Sequence, residues 1–477
     1  FPFHPRWSAP AKSKSWLKEK RMEQSNNTEA YWQASQNLSF WSVGLSISAS
    51  MMSVSWSCVY GVQLFYWYGW GGAWLLIIPW LVTMAGFFIF AGKFRSLNAF
   101  SQPQLLEKRF GSRARQLLAP ALIIVFITWT GAEIYAAGQI IAPFLGISLN
   151  RTLFIITLIV AIYTFSGGFS AVISTDKLQF ALVAFFITTI AILGWRALPE
   201  DISLFHIPTP PKTRSGFVLF APGFALILIT FFAYLPGWLI ETDVWIRLQA
   251  AKNDNAARKG ILVAGLNSFV FVGVMPLIIG LSALILYPPA NGVIPAQLQD
   301  GALIFTTIMQ DYAPLGLSIF LAIGLIGAAM STIDTCGNVV ALSFSFDLLE
   351  PFLKSKDSNI NLNLVARFAS VGAIFISFIY AVFTESLWDI FYLSSGILTT
   401  SVFLPVVASF FKSTKTGQIN LAIILGLIST ILFYFLESRG LLVNIQPEWV
   451  ATTGLGYILW GFLFSVLGFI GGKLITE

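Results

Sequence analysis

Uncharged oxygen donors are concentrated in one apolar stretch near the start of the chain. Residues 47–58 read ISASMMSVSWSC and contain five serines among twelve residues. The hydroxyls of Ser48 and Ser57 could bond back to helix carbonyls or pack against neighbouring helices. A helix that unwinds near residues 49–53 would instead free backbone carbonyl oxygens, which suit a hard cation such as Na⁺. The stretch therefore predicts either a packed hydroxyl face or a cation site at a broken helix.

A second group of oxygen donors lies in another apolar run, residues 324–338, which read GLIGAAMSTIDTCGN. Ala328 and Ser331 are three residues apart and share a helix face, and Thr332 lies next to that face. The small residues could also form a packing seam that lets two helices approach closely. Both interpretations of this run can hold at once.

Carboxylates at membrane depth are costly and usually functional. In YTFSGGFSAVISTDKLQ, Gly167-Gly168 predicts a tight turn, and Asp176 falls about two turns into the next helix. Lys177 beside Asp176 could neutralise it as a plain structural pair. A carboxylate at this depth, facing hydroxyls on another helix, would also serve a cation.

The residues YLPGWLIETDVWIR predict a second interrupted helix. Pro236-Gly237 should break or kink it, so that Glu241 and Asp243 follow the break. Asp243 and Arg247 are four residues apart, and an ion pair between them is the expected role of Asp243. Glu241 has no obvious local partner.

The composition requires a membrane protein. Of 477 residues, 56% are hydrophobic and 10% charged, with a mean hydropathy of +0.77, whereas soluble domains have roughly 25% charged residues. Continuous apolar runs of about 20 residues indicate helical spans, not the alternating strands of an outer-membrane barrel. The net charge of +6 comes from basic residues in loops, so it does not indicate nucleic-acid binding. The two cysteines lie in apolar runs and predict neither a disulfide framework nor a zinc site.

Twelve spans are predicted, numbered 1 to 12 from here on. Their approximate ranges are 38–67, 72–94, 116–145, 152–167, 170–196, 216–246, 257–287, 315–346, 364–384, 387–411, 418–437 and 452–473. Basic residues are concentrated on one side, in the polar arm 1–37 and alternate loops. The positive-inside rule therefore places both termini of this chain in the cytoplasm, with the protein in the cytoplasmic (inner) membrane. A short surface helix is expected at ALIFTTIMQ, after span 7.

The chain resembles the sodium:solute symporter family, whose members carry proline, pantothenate, sugars, sialic acid, iodide or choline. Four stretches carry the resemblance: TEAYWQASQNLSFWSVGLSISASMMSVSW, YTFSGGFSAVISTDKLQ, DVWIRLQAAKNDNAARKG and AAMSTIDTCGNVVALSFSFDL. The resemblance covers about residues 28–473. It implies an all-α LeuT-like core with two inverted repeats of five helices, spans 1–5 in 38–196 and spans 6–10 in 216–411. Two peripheral helices would follow in 418–473.

The resemblance also implies site residues. The family's sodium site would use the backbone carbonyls of Ala49, Met52 and Ala328 and the hydroxyls of Ser331 and Thr332. Asp176 matches the acid that supports a second sodium, or the inner sodium exit, in some members. The solute site would lie at mid-membrane beside the sodium, lined by Ser53, Trp56, Glu241, Tyr392, Ser394 and Ser395.

The chain departs from the family pattern in two places. Most members have one further span before span 1, where this chain has a polar arm, so that helix is either absent or trimmed from this chain. Sugar carriers tend to have a neutral amide near the end of the span 6 break, where this chain has Glu241. Some members of the family have an aromatic gate where this chain has Asp243. These acids argue against a sugar and for a cationic or amine-bearing solute, although an Asp243–Arg247 pair would weaken that argument.

The function implied is secondary active symport, in which Na⁺ and a small organic solute enter by alternating access. Membrane lipid is then the surrounding partner, and no nucleic acid, enzymatic activity or obligate protein partner is indicated. Three alternatives remain: proton coupling through Glu133, Asp334 or Glu241, a passive channel, and a transporter-like sensor. A membrane-embedded hydrolase is disfavoured because no His or Cys cluster occurs in the spans.

Overall fold

The computed structural model describes residues 37–97, 99, 101–166, 169–200, 202, 204–355 and 361–475. Within these ranges the chain is helical, and extended pairing is limited to two isolated bridges. The prediction of an all-α fold is confirmed. The expectations for the arm before residue 37 and for the Gly167-Gly168 turn lie outside the described residues.

The first five spans have these bounds in the structure. Span 1 comprises Phe40–Met51, Val54–Gly61 and Val62–Tyr68, span 2 is Ile77–Ser96, span 3 is Ser112–Leu145, span 4 is Leu149–Ser166 and span 5 is Phe169–Arg196. A separate helix, Gln102–Phe110, connects spans 2 and 3.

The second half of the chain repeats the pattern of long helices with interruptions. Span 6 comprises Phe224–Trp238 and Thr242–Ala250, and span 7 comprises Asp254–Ser268, Phe269–Val274 and Met275–Leu286. Span 8 comprises Leu315–Leu342, Ser343–Leu349 and Glu350–Ser355, and span 9 is Leu362–Val382. Span 10 comprises Leu387–Ile397, Leu398–Phe403 and Leu404–Ala408, span 11 is Thr416–Ser438 and span 12 is Gly456–Ile475.

The number of spans is close to the prediction. Ten helices of the described residues are long and apolar enough to cross a membrane, and the bent pair in span 1 makes eleven. Span 4 is the twelfth apolar helix, and its apolar part, Leu149–Phe165, is shorter than those of the other spans. Apolar side chains such as Ile162, Leu266 and Ile470 are largely exposed on the outside of the bundle, which suits contact with lipid.

Span 1 breaks where the serine-rich stretch lies. Its two halves, Phe40–Met51 and the segment that starts at Val54, meet at a bend of 49°. Met52 (φ −86°, ψ 47°) and Ser53 (φ −71°, ψ 157°) leave the helical conformation. The Ser53 hydroxyl accepts a hydrogen bond from the Trp56 backbone N–H at 3.0 Å and so caps the second half. The last carbonyls of the first half therefore have no donor further along the same helix.

Span 6 also breaks, but later than predicted. Pro236 and Gly237 lie inside the first half, which ends at Trp238, and the second half starts at Thr242. A neighbouring side chain explains the shift: the Thr399 hydroxyl accepts a hydrogen bond from the Gly237 N–H at 3.1 Å and donates one to the Ala233 carbonyl at 2.7 Å. The Thr399 hydroxyl thus links the Gly237 N–H to the Ala233 carbonyl, so the helix continues past Pro236.

Two further expectations about helix positions need correction. Span 6 starts at Phe224 and not near residue 216, because Gly223 with φ 81° ends the preceding loop. The short helix expected after span 7 exists as Ile304–Tyr312. It is not a purely surface helix, since Ile304, Phe305 and Ile308 are buried.

Candidate functional site

A cavity lies between the two broken helices. Spans 1, 2, 3, 6, 8 and 10 all contribute to its wall. The lining side chains are Ser50, Met51, Ser53, Ser55, Trp56, Trp80, Phe126, Trp129, Trp238, Glu241, Asp243, Thr332, Cys336, Phe391 and Ser395. Both breaks open onto this cavity, because Ser53 lies in the first break and Glu241 in the second.

Glu133 of span 3 fastens the second half of span 1. Its Oε1 accepts a hydrogen bond from the Val54 N–H at 2.8 Å, and its Oε2 accepts one from the Ser55 N–H at 2.9 Å. Glu133 is fully buried. The carboxylate thus satisfies two backbone donors that the start of a helix leaves free, and it lies at the positive end of the helix dipole.

A buried charge network lies beside the first half of span 1. Arg247 of span 6 is completely buried and pairs with Asp176 of span 5 at 3.4 Å and with Asp243 at 3.3 Å. Its guanidinium also donates to the hydroxyls of Ser46 at 2.7 Å and Thr335 at 3.2 Å. The expected Asp243–Arg247 pair is therefore confirmed, and the network joins spans 1, 5, 6 and 8.

Asp176 has a different cationic partner from the one expected. Lys177, which follows Asp176 in the sequence, is exposed. The guanidinium of Arg247 neutralises Asp176 instead. The Asp176 carboxylate further accepts hydrogen bonds from Ser46 and, at 2.9 Å, from Ser331. The sequence could not show this pairing, because residues 176 and 247 lie on different spans.

The residues assigned to sodium by resemblance, apart from Asp176, lie on spans 1 and 8, which contact each other. Ala49 and Met52 lie at the end of the first half of span 1 and are buried, as are Ala328 and Ser331 of span 8. Thr332 lines the cavity itself, and its buried hydroxyl oxygen has no hydrogen-bond partner among the described residues. An unpartnered buried hydroxyl is unfavourable unless something else satisfies it.

The residues assigned to the solute separate into two groups. Ser53, Trp56, Glu241 and Ser395 line the cavity. Tyr392 and Ser394 are not lining residues: the Tyr392 hydroxyl hydrogen-bonds to Thr230 at 2.6 Å, and Ser394 accepts a hydrogen bond from Trp129 at 2.6 Å. These two side chains support the wall from behind, and the role of all six in solute binding stays a prediction.

An aromatic layer closes the cavity on the side of the second half of span 1. Trp56 packs against Phe391 with ring centroids 4.7 Å apart and against Trp238 at 5.4 Å. Behind it, Tyr234 stacks on Tyr392 at 4.9 Å, and Tyr392 packs on Trp388 at 4.5 Å. The expectations from the sequence did not include Trp129, Trp238 or Phe391. Of these, only Trp238 lies next to a predicted helix break, where an aromatic residue was a usable signal.

Two broken helices around a mid-bundle cavity, with a charge network on one side and aromatic rings on the other, define a secondary transporter with discontinuous helices. The model of the sodium:solute symporter family matches residues 31–426. The chain therefore belongs to the sodium:solute symporter family, and the prediction of a sodium-coupled solute symporter is confirmed at the level of the family.

Individual relatives agree with this assignment. The sodium/glucose cotransporter of Vibrio parahaemolyticus is 25% identical over 88% of this chain and 81% of its own length. The sodium/sialic acid symporter SiaT of Proteus mirabilis is 22% identical over 72% of each chain. The chain spans 64% of the length of the sodium/glucose cotransporter 4 of Danio rerio, at 24% identity.

A solved structure supports the fold. The chain is similar to a Na⁺-coupled sialic acid symporter in a substrate-bound, outward-open state, with a TM-score of 0.69 and 19% identity over 94% of this chain and 93% of the other. At this identity the match shows the fold, which is the LeuT-like fold expected from the sequence. The chain is an integral, multi-pass membrane protein.

Proposed function

We propose that this chain carries Na⁺ and a small organic solute together into the cell, with the sodium held between the broken span 1 and span 8. The observation that supports this site best is the unpartnered, buried Thr332 hydroxyl beside the end of the first half of span 1. The Thr332 oxygen could coordinate a cation, which would satisfy it without a hydrogen-bond donor from the protein.

The donor set fits Na⁺. The donor set consists of oxygen atoms, which hard cations prefer as ligands: the carbonyls of Ala49, Met52 and Ala328 and the hydroxyls of Ser331 and Thr332. In transporters with broken helices, unwound carbonyls hold the coupling ion in this way. Sodium at this position would fix the first half of span 1 against span 8.

The charge network would act as a latch on the same half-helix. Arg247 and Asp176 tie Ser46 of span 1 to spans 5, 6 and 8. We place this latch on the cytoplasmic side, following the basic loops, with both termini of the chain also in the cytoplasm. When the core rocks open inward, Arg247 and Asp176 would separate, and Asp176 would then be free to receive the departing sodium.

Coupling in this scheme follows from differential affinity. A ligand shifts a conformational equilibrium only as far as it binds one state better than the other. Sodium bound across spans 1 and 8 would favour the state that is open to the outside and competent to bind solute. Ser53, Trp56, Glu241 and Ser395 would then contact the solute, with Tyr392 and Ser394 holding the wall.

The proposal can be tested without knowing the solute. The melting temperature of the purified chain should rise with NaCl more than with KCl, because an ion that binds the folded state stabilises it. Thr332→Val should raise the Na⁺ concentration needed for half of this effect by about tenfold, since one ligand oxygen is lost.

Thr157→Val is a matched control, because Thr157 is also a buried membrane threonine and its hydroxyl only bonds back to the Leu153 carbonyl at 2.7 Å. It should leave the sodium dependence unchanged. Equal stabilisation by Na⁺ and K⁺ in the unaltered chain would contradict sodium coupling, and a pH gradient that drives uptake without sodium would favour the proton-coupled alternative.

A further inference from the structure

We infer that the solute is an organic ammonium ion and that it does not bind through a carboxylate. This inference rests on the proposed function, because it assumes that the cavity between the broken helices holds the solute. Three features carry it: the aromatic wall, the excess of buried acid, and the carboxylate that already covers the helix end.

The cavity wall is aromatic on several sides. Six rings line it, contributed by spans 1, 2, 3, 6 and 10: Trp56, Trp80, Phe126, Trp129, Trp238 and Phe391. Four of them are tryptophan, the ring that attracts cations most strongly. Two of these indoles are held in place by hydrogen bonds, Trp129 to Ser394 at 2.6 Å and Trp238 to Ser395 at 3.2 Å. A cage of fixed rings favours a cation with an apolar surface over a strongly hydrated one.

The charge of the site leaves room for a cation. Two buried acids, Glu241 and Asp243, line the cavity beside the network of Arg247, whose guanidinium is paired with Asp176 and Asp243. Asp243 lines the cavity and uses its Oδ2 for Arg247 and for Ser50 at 2.6 Å, while its Oδ1 is buried and has no hydrogen-bond partner among the described residues. A cation in the cavity would meet these two acids, with no lysine or arginine among the described lining residues.

The wall offers little to other classes of solute. Among the described residues that line the cavity there is no lysine, arginine, asparagine or glutamine. A solute with a carboxylate would lack a basic side chain to pair with. A sugar would find hydroxyls and acids but no amide group that donates and accepts at once.

The remaining place for an anion is taken by the protein itself. In transporters with broken helices, the positive start of a half-helix can bind the anionic group of the substrate. Here that position at the second half of span 1 is covered by Glu133, which accepts the N–H groups of Val54 and Ser55. A solute carboxylate would be repelled by Glu133 and could not reach these donors.

The test is a ligand panel on the full-length purified chain in NaCl, read as melting temperature. The probes are ethanolamine, choline and benzyltrimethylammonium for the ammonium class, with 3,3-dimethylbutan-1-ol as the uncharged isostere of choline. Betaine adds a carboxylate to the same ammonium group, and galactose and proline represent other classes. At least one ammonium probe should stabilise the chain at a concentration about tenfold below its uncharged or carboxylate-bearing analogue, the factor that a desolvated cation–π contact provides.

The outcomes separate this inference from the proposed function. If NaCl stabilises the chain but no ammonium probe does, or if galactose, proline or the uncharged isostere acts as well, the ammonium assignment is overturned and sodium symport stands. If NaCl and KCl act alike, the proposed function fails. Glu241→Gln should weaken binding of the stabilising ammonium probe by about tenfold while the response to NaCl alone is retained, and an unchanged affinity would contradict the role of this acid.

Discussion

The two ends of the cavity are closed by different chemistry. On the side of the first half of span 1, the closure is a buried network in which Arg247 connects Asp176, Asp243, Ser46 and Thr335. On the side of the second half, the closure is a stack of rings whose hydrogen bonds join uncharged groups, such as Trp238 and Ser395. The first closure depends on charges that must all be satisfied, while the second depends on shape.

This difference indicates how each end opens. Separating buried charges leaves them unpaired, so the charged end should open only when ions or solute replace the lost partners. Rings can change rotamer without leaving a charge behind, so the aromatic end should open at lower cost. This asymmetry is consistent with the proposed cycle, in which sodium controls the charged end.

The comparison predicts its largest effect at Arg247. Arg247→Met should destabilise the folded protein by about 3–5 kcal/mol, because Asp176 and Asp243 would remain buried without their cation. Thermal or denaturant unfolding in detergent checks this value. Lys212→Met is the control, since Lys212 forms a partly exposed pair with Asp300 and should change stability by roughly 0–1 kcal/mol. Similar losses for the two variants would contradict the charged latch.

The second prediction concerns the fastening of span 1. Glu133→Ala should destabilise the fold by about 2–3 kcal/mol, because the Val54 and Ser55 N–H groups lose their acceptor in a buried place. Glu133→Gln keeps an acceptor oxygen and should lose less. In Glu133→Ala, betaine should gain binding relative to choline, since the repelling carboxylate is gone. A variant that folds as well as the unaltered chain would show that Glu133 is not needed for the break.

The third prediction tests one hydroxyl of the latch. Ser46→Ala should lower stability by about 1 kcal/mol, because Ser46 links Arg247 and Asp176 to span 1. Ser48→Ala is its neighbour and control, since the Ser48 hydroxyl bonds back to the Gly44 carbonyl at 2.7 Å and accepts from Asn267. Ser46→Ala should also change the sodium response, whereas Ser48→Ala should not. An altered sodium response in both variants would contradict a specific role of Ser46.

The smallest effect is expected at the aromatic end. Tyr60→Phe removes a hydroxyl that lies 3.3 Å from the hydroxyl of Tyr234. Because ring packing and not this contact holds the end closed, stability should fall by less than about 1 kcal/mol. A loss as large as that of Arg247→Met would remove the difference between the two ends.

The sequence predicted the fold well because its signals are local. Apolar runs of sufficient length predicted the spans. A break near residues 49–53 was one of two interpretations of the serine-rich stretch, and the structure has a break at Met52 and Ser53. The break in span 6 was predicted from Pro236 but lies after Trp238, because the Thr399 hydroxyl from another span repairs the ladder. A hydrogen bond from a residue so distant in the chain cannot be predicted from the local sequence.

The candidate site was less predictable for the same reason. The pair of Asp243 and Arg247 could be expected from their spacing of four residues, but the pair of Arg247 and Asp176 could not. The hydrogen bond from the Val54 N–H to Glu133 joins residues that are 79 apart in the chain. The wall residues Trp129 and Phe391 come from spans that only the packed structure brings together.

The central claim is that sodium at Thr332 controls access to the cavity, and the chain provides its own probe. Cys336 lines the cavity, and Cys58 is the other cysteine of the sequence. In a Cys58→Ser background, the rate at which a small, membrane-impermeant thiol reagent modifies Cys336 reports how open the cavity is. The account predicts that this rate differs between NaCl and KCl, that Thr332→Val abolishes the difference, and that Thr157→Val preserves it. Equal rates in the two salts, or an ion effect that survives Thr332→Val, would contradict it.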